Sequence, residues 1–347
     1  MGPHRRPLHD ARHERPEDGR ARRRGARIAP LAVGLVGVGR IGVEHARTLC
    51  TLDGVSLTVA DADRDRARRV AAELGVAAAE SVEALLDEVD ALVIATATPG
   101  HAPLLQLAAA AGVAAFCEKP VALDLATMDG VIADVARAGI LVQVGFQRRF
   151  DDGFRALRTA VSSGDAGRIL VMRAATHDPS PPPREYIAAS GGIFRDLHIH
   201  DFDAIRFVSG EEIVDVYAAG AALEARWFAD YGDVDVAAAV LQLESGALVI
   251  VSGTRHDPSG YDVRLEVFGT KKTMAAGPGT RSYRDFWDRF EPAYRSELGA
   301  FVTSVRTGDE SACPLEEARA ALQIALAADR SIAEHRPVGL AKAPPDG

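Results

Sequence analysis

Short apolar runs alternate with amphipathic, helix-like segments through the first part of this chain. Four of the runs have the length and composition of buried strands. They lie at residues 31–36, 55–60, 91–96 and 113–117. Segments with the helical spacing of apolar residues lie between them, most clearly at 64–74 and 82–86. This alternation predicts a parallel sheet with helices packed on its faces.

The second part of the chain has a different pattern, in which apolar and polar residues alternate over short stretches joined by turns. Stretches of this kind lie around residues 238–244, 247–252 and 263–268, and Ser245-Gly246 supplies a turn between the first two. A proline-rich loop precedes them at 179–183, and an apolar helical pattern follows at 316–334. We therefore expect consecutive antiparallel strands and a closing helix.

Length and charge narrow the classes of protein to consider. A chain of 347 residues with 47% hydrophobic content can form two cores. The formal net charge of -9 argues against nucleic acid as a general partner. The longest apolar run, residues 104–116, is too short for a membrane span. Three cysteines far apart in the chain, Cys50, Cys117 and Cys313, suggest thiols in a reducing cytoplasm.

The first 30 residues differ from the rest of the chain in composition. They are rich in Arg, Pro, Gly and His, and they have neither hydrophobic periodicity nor the apolar segment of a secretory signal. We interpret residues 1–30 as a disordered, Arg-rich tail. A first domain is expected at 31–147 and a second at 148–347.

A glycine-rich motif, Gly-Val-Gly-Arg-Ile-Gly at residues 37–42, follows the first predicted strand and opens a helix. In this position Gly37 permits a tight turn, Gly39 lets the backbone approach a pyrophosphate, and Gly42 allows close helix packing. Asp61 ends the second predicted strand, 19 positions after Gly42, where a carboxylate accepts hydrogen bonds from an adenosine ribose. The sequence thus predicts a Rossmann domain that prefers NAD to NADP, although Arg64 and Arg66 lie close to Asp61 in sequence.

Lys119 follows the strand predicted at 113–117, within Glu118-Lys119-Pro120. Ligands of such sheets bind at the carboxyl ends of the strands, so Lys119 is a candidate site residue. Pro120 is a candidate for a cis peptide bond.

Residues 196–203, Asp-Leu-His-Ile-His-Asp-Phe-Asp, concentrate two histidines and three aspartates. In a helix over 196–208 that ends at Gly210, Asp196, His200 and Asp203 lie at i, i+4 and i+7 on one face, and His198 lies elsewhere. The segment could bind a metal, transfer protons or present solvated charges. A metal is the weaker interpretation, because zinc-binding helices usually pair two histidines at i and i+4.

These motifs resemble those of the glucose-fructose oxidoreductase, inositol dehydrogenase and MocA-like family of NAD(P)-dependent dehydrogenases. The resemblance runs from about residue 31 to about 338 and is closest to inositol 2-dehydrogenases. It rests on four motifs, at residues 37–42, 118–120, 145–151 and 191–203. The likeness to inositol 2-dehydrogenases is greatest at 186–203, Gly260-Tyr261-Asp262 and 291–301. Ser259 stands where these enzymes often carry an aromatic residue, His198 stands where a small Thr is common, and Gln147 occupies a variable position at the substrate edge, which leaves the particular polyol open.

The resemblance implies an α/β fold: a Rossmann domain followed by an α+β domain with a large, open, mainly antiparallel sheet that mediates oligomer contacts. It implies NAD as cofactor, a polyol substrate, no metal, and a dimer or tetramer. Catalytic roles are implied for Lys119, Asp196 and His200, with His200 as the base. The expected cofactor-binding residues are Gly37, Gly39, Arg40, Ile41, Gly42, Asp61, Thr96, His101, Glu118 and Lys119. The expected substrate-binding residues are Lys119, Arg148, Asp196, His200, Asp203 and Tyr261.

The function expected from this resemblance is oxidation of a cyclitol, most simply myo-inositol to its 2-keto product. Alternatives are a dehydrogenase of another polyol or aldose, an NAD-dependent glycosidase on the same fold, and a catalytically silent NAD-binding regulator. The presence of Lys119, Asp196 and His200 speaks against the regulator.

Overall fold

The computed structural model describes residues 1–2, 29–277 and 283–340. The predicted tail therefore falls almost wholly outside the described residues. None of the described helices is both long and apolar enough to cross a membrane.

The first of two sheets is parallel and confirms the predicted Rossmann-like architecture. Its spatial order is β3-β2-β1-β4-β5-β6. The strands are β1 (Leu31–Val36), β2 (Val55–Ala60), β3 (Ala77–Ala78), β4 (Ala91–Ile94), β5 (Ala114–Glu118) and β6 (Val142–Gly145). The order reverses direction at β1, and β1 lies between β2 and β4. Such a switch point opens a crevice at the carboxyl ends of the strands, where ligands bind.

The second sheet has seven strands in the order β12-β11-β7-β10-β9-β8-β13. The strands are β7 (Ile169–His177), β8 (Ile213–Ala221), β9 (Val236–Leu243), β10 (Leu248–Thr254), β11 (Asp262–Gly269), β12 (Thr273–Ala276) and β13 (Val338–Gly339). All neighbours are antiparallel except β7 and β10, which are parallel. The predicted mainly antiparallel sheet is thus confirmed.

Ten α-helices connect and cover the sheets in the described part of the chain. They are α1 (Arg40–Cys50), α2 (Arg64–Leu74), α3 (Val82–Leu86), α4 (His101–Ala111), α5 (Leu125–Ala138), α6 (Asp152–Ser162), α7 (Arg184–Ser190), α8 (Ile199–Ser209), α9 (Phe286–Thr307) and α10 (Leu315–Glu334). Local sequence explains their ends. Asp63 caps the start of α2 by accepting from the Arg66 N–H, and Gly75 ends it in the left-handed conformation.

The last two long helices return to the first sheet and complete its core. Leu298, Phe301 and Val302 of α9 are buried together with β1 residues such as Val33 and Leu35. Burying one such side chain fully contributes about 1.5–3 kcal/mol. Residues near the start of α10 pack into a second apolar core, which includes residues of β4, β5 and β6. The division of the chain at residue 147 remains a prediction, since the Rossmann core draws on both sides of it.

The helix expected over 196–208 begins differently from the prediction. Phe194–His198 form a turn of π-helix, and a regular α-helix follows as α8 and ends, as predicted, at Gly210. A π-turn hydrogen-bonds i to i+5 and so rotates less per residue than an α-helix. The i, i+4, i+7 spacing of a regular α-helix therefore does not apply across residues 194–198.

Candidate active site

The glycine-rich loop leaves space for a cofactor and closes on the sheet behind it. Gly37 has φ +92°, and a Cβ there would lie 2.7 Å from the Ala95 carbonyl oxygen. A Cβ on Gly42 would lie only 1.8 Å from the Gly37 oxygen, whereas one on Gly39 would meet nothing within 4 Å. Gly39 precedes α1 without a side-chain cap, so free N–H groups of the helix start face this open space. These features fit the pyrophosphate of a dinucleotide.

Asp61 lies at the end of β2 and is tied to the same loop. One carboxylate oxygen accepts from the Val38 N–H at 2.8 Å, and the other accepts from the Asp63 N–H at 2.8 Å. The Arg66 guanidinium lies 3.5 Å from Asp61. A carboxylate held beside the loop fits recognition of the adenosine ribose, as the sequence predicts.

Lys119 and Asp196, which are 77 positions apart in the chain, lie in direct contact. The Lys119 ammonium donates to the Asp196 carbonyl oxygen at 2.9 Å and to Asp196 Oδ1 at 3.1 Å. Lys119 follows β5, and the Lys119–Pro120 peptide bond is cis, as the sequence suggested. Asp196 is placed by the π-turn, a feature that often marks functional sites.

Two residues that the sequence reasoning did not single out complete the surroundings of Asp196. Tyr186 of α7 donates its hydroxyl to Asp196 Oδ1 at 2.6 Å, and Arg255 donates to Oδ2 at 2.7 Å. Burial alone would raise the pKa of Asp196, but Lys119, Arg255 and the Tyr186 hydrogen bond hold it well below its usual range. Asp196 is therefore a carboxylate at any working pH. Arg255 follows β10, and only the folded structure brings it to Asp196, 59 positions away in the chain.

His200 lies one turn beyond Asp196 and joins the same group. It is part-exposed, its ring packs edge-on to Phe146, and its Nδ1 has no hydrogen-bond partner among the described residues. Burial, with the charges of Lys119 and Arg148, lowers the pKa of His200 well below its usual value, against an opposing effect of Asp196. The imidazole is thus neutral near pH 7 and able to accept a proton.

Two residues expected to contact substrate are engaged elsewhere. Asp203 accepts from Arg149 through both carboxylate oxygens, at 2.6–3.0 Å, and has no exposed surface. Arg148 is 2% exposed and donates to Asp201 and Thr176. A buried charge is stable only beside an opposite one, so these ion pairs account for the burial of both side chains, and contact of either residue with substrate stays a prediction. The charge of Arg148 also contributes to the lowered pKa of His200.

His101 and Glu118 also have partners within the protein. The ring nitrogens of His101 face the carbonyl oxygens of Thr96 at 3.0 Å and Pro120 at 2.8 Å, and the residue is 2% exposed. His101 therefore joins the loops after β4 and β5, and its contact with a cofactor stays a prediction. Glu118 is buried and bonds to His45 of α1 at 2.7 Å.

The remaining predicted residues are Arg40, Ile41, Thr96 and Tyr261. Arg40 and Ile41 form the first turn of α1, with the Arg40 guanidinium 4.8 Å from the Phe286 ring centre. Thr96 follows β4 beside the glycine loop. Tyr261 is 6% exposed, and burial raises the pKa of its hydroxyl, with Asp178 among the neighbouring charges. Their contacts with ligands stay predictions.

His198 is separate from the Lys119 group, in line with the expectation that it lies off the active face. It is fully buried, and its Nδ1 bonds to Asp201 at 2.8 Å. A Cβ on Gly253 would lie 2.4 Å from its ring, so the strand packs tightly against it. Within residues 29–277 and 283–340, no three His, Cys, Asp or Glu side chains are arranged to hold a metal.

Comparison with known proteins defines the class to which this fold and site belong. The description "Oxidoreductase family, NAD-binding Rossmann fold" matches residues 31–146, and "GFO/IDH/MocA C-terminal domain" matches residues 154–275. The chain belongs to the GFO/IDH/MocA family of oxidoreductases, as the resemblance implied.

Individual relatives narrow the comparison to inositol dehydrogenases. The chain is 37% identical over 329 residues to myo-inositol 2-dehydrogenase of Thermotoga maritima, covering 89% of this chain and 98% of that protein. It is 40% identical over 326 residues to inositol 2-dehydrogenase of Rhizobium meliloti, with the same coverage. The structure of scyllo-inositol dehydrogenase from Lactobacillus casei with bound NAD(H) and scyllo-inositol superposes with a TM-score of 0.83 at 28% identity. That superposition covers 89% of this chain and 99% of the other.

Proposed function

We propose that this protein is an NAD-dependent dehydrogenase that oxidises a secondary hydroxyl of a cyclitol, with myo-inositol as the first candidate and the 2-keto inositol as product. The observation that carries the proposal is the contact of Lys119 with Asp196, with His200 beside it, at the carboxyl end of β5. The inositol dehydrogenases among its relatives support the substrate class.

Each of these residues has a separate role in the proposed oxidation. The Lys119 ammonium donates to the reacting hydroxyl and favours its alkoxide form. Asp196 holds Lys119 in place. Neutral His200 accepts the hydroxyl proton, and the charge that develops on its ring is supported by the Asp196 carboxylate. Gly39, the start of α1 and Asp61 would hold NAD, and NAD would accept the hydride when bound.

A substrate panel tests this proposal directly. Purified protein with NAD is offered myo-inositol, scyllo-inositol, other cyclitols, linear polyols and aldoses, and NADH formation is followed by absorbance. Asp196→Asn, which keeps the shape but removes the charge, serves as the inactive control. NADH formation with a cyclitol above all other compounds is expected. Activity on aldoses alone, or sugar release from a glycoside without net NADH, would replace the cyclitol assignment.

A homo-oligomer is part of the same proposal. The second sheet carries an exposed row of apolar residues, in which Ile250 pairs with Val240 and Val240 pairs with Tyr217 across three strands. Each of these side chains is 44–46% exposed. We propose that a second subunit covers this face in a dimer or tetramer. We also propose that the protein is cytoplasmic. Light scattering should show Ile250→Asp as a smaller species than the wild type.

A further inference from the structure

Arg255 is a buried arginine that lies between two carboxylates, at the end of strand β10 of the second sheet. It is 3% exposed and donates to Asp178 Oδ2 at 2.9 Å and to Asp196 Oδ2 at 2.7 Å. Strands β7 and β10 are parallel, and Thr254 pairs with His177, so both strands finish at the same end of the sheet. Asp178 and Arg255 each follow one of the paired residues. The topology of the sheet therefore fixes the contact.

The two oxygens of the Asp196 carboxylate have different partners. Oδ2 accepts from Arg255, while Oδ1 accepts from Lys119 and Tyr186. A planar guanidinium whose second nitrogen is anchored on Asp178 resists rotation. With Oδ2 held in this way, Oδ1 is directed towards Lys119 and Tyr186.

We propose that Arg255 is a positioning residue for the reaction: it holds the Asp196 carboxylate so that Lys119 is placed for the substrate hydroxyl. This inference rests on the proposed function. Arg255 acts through Asp196 and Lys119 and requires no contact with substrate.

The charges around Asp196 predict how the loss of Arg255 would change the dependence of activity on pH. Five titratable groups face the carboxylate: Lys119, Tyr186, His200, Asp233 and Arg255. Lys119 and Arg255 lower the pKa of Asp196 against the effect of burial. Without Arg255 the pKa rises, and the carboxyl protonates as the pH falls through that higher value. A protonated Asp196 no longer anchors Lys119, so activity is lost at a higher pH than in the wild type.

The experiment compares Arg255→Gln and Arg255→Lys with wild type in pH profiles of kcat and kcat/KM for the polyol. Arg255→Gln should lower kcat about 10- to 100-fold, as a misplaced catalytic group does, and should move the acid limb to higher pH. Arg255→Lys keeps the charge and should restore the position of the limb while recovering only part of kcat.

Arg149→Gln is the matched control, since Arg149 is similarly buried and holds Asp203 as Arg255 holds Asp196. It should lower the melting temperature without moving the limb. If activity falls at the same acid pH in wild type, Arg255→Gln and Arg149→Gln, the inference is overturned and Arg255 is a structural residue.

A second measurement needs no turnover and keeps the test open if a variant is inactive. Infrared spectra of folded Arg255→Gln at decreasing pH should show a carbonyl band of a protonated carboxyl in addition to the band that buried Glu297 gives in wild type as well. Asp196→Asn in the same background should remove the additional band. If the additional band is absent, Arg255 does not control Asp196 and the inference fails. If the additional band is present but wild type oxidises no polyol, the proposed function fails instead.

Discussion

Asp61→Ser should shift the choice of dinucleotide from NAD towards NADP. NADP carries an additional phosphate on the adenosine ribose, at the hydroxyl that a carboxylate in this position binds. The Asp61 side chain is only 7% exposed and is fixed by the Val38 and Asp63 N–H groups, so it cannot turn away from an incoming phosphate. Its charge should therefore act at full strength against NADP.

Coulomb's law sets the size of the effect. Two unit charges about 4 Å apart repel by about 1 kcal/mol in water, and a dianionic phosphate doubles this to about 2 kcal/mol. That energy corresponds to about a 30-fold change in the ratio of kcat/KM for the two cofactors. Arg66, released from its 3.5 Å contact with Asp61, adds attraction for the phosphate. Serine is too short to keep the Val38 contact, and the loss of one hydrogen bond, about 1 kcal/mol, should raise the KM for NAD about fivefold.

The assay measures kcat/KM for NAD and for NADP at saturating polyol. Asp65→Ser is the matched control, because Asp65 is an exposed carboxylate in the first turn of α2, the helix that follows Asp61. The control should keep the wild-type ratio. An Asp61→Ser ratio within threefold of wild type, or a wild type that uses NADP as well as NAD, would show that Asp61 does not select the cofactor.

Three further changes test the site. Lys119→Ala should lower turnover by about two orders of magnitude or more while NAD affinity, measured by calorimetry, is nearly unchanged; normal turnover would make it a surface lysine. His200→Ala should cost about 10²- to 10⁴-fold, and wild-type activity should fall only at pH values well below the ordinary histidine pKa, where His200 gains its proton. His198→Ala should instead lower stability with a milder effect on turnover, and EDTA should have no effect; loss of activity on chelation, restored by a divalent ion, would contradict the assignment of His200 as base. Glu297 is buried without a partner for either carboxylate oxygen among the described residues, and burial raises its pKa well above the usual value. Because the unfolded chain releases this proton near pH 4 and the folded chain does not, stability should fall as pH rises above about 4, by up to about 1.4 kcal/mol per pH unit. Glu297→Gln should remove this loss, which melting curves between pH 5 and 9 would detect.

The glycine motif and the β–α alternation made the first sheet predictable from sequence. Gly37 is required by its positive φ, and Gly42 by its close approach to the Gly37 oxygen within the same strand-turn-helix unit, and a local pattern encodes both. The position of Lys119 was predictable for a related reason, since the end of a strand in a parallel sheet faces the crevice whatever its neighbours are. Antiparallel strands joined by short turns were visible in the same way.

The partners of charged side chains were not predictable, because they depend on which distant segments meet. Asp203 had the spacing of a site residue, but spacing did not predict its pairing with Arg149, 54 positions away in the chain. Arg255 is 59 positions from Asp196 in sequence, and only the parallel pairing of β7 with β10 brings it there.

The sequence by itself thus determined the two sheets, the dinucleotide loop and the residue types available for proton transfer, because each depends on local periodicity or on steric limits at single glycines. Tertiary structure alone decided which carboxylate faces Lys119 and which is neutralised elsewhere. The physical reason is that a buried charge is stable only beside an opposite one, and that partner is chosen by long-range packing rather than by sequence spacing.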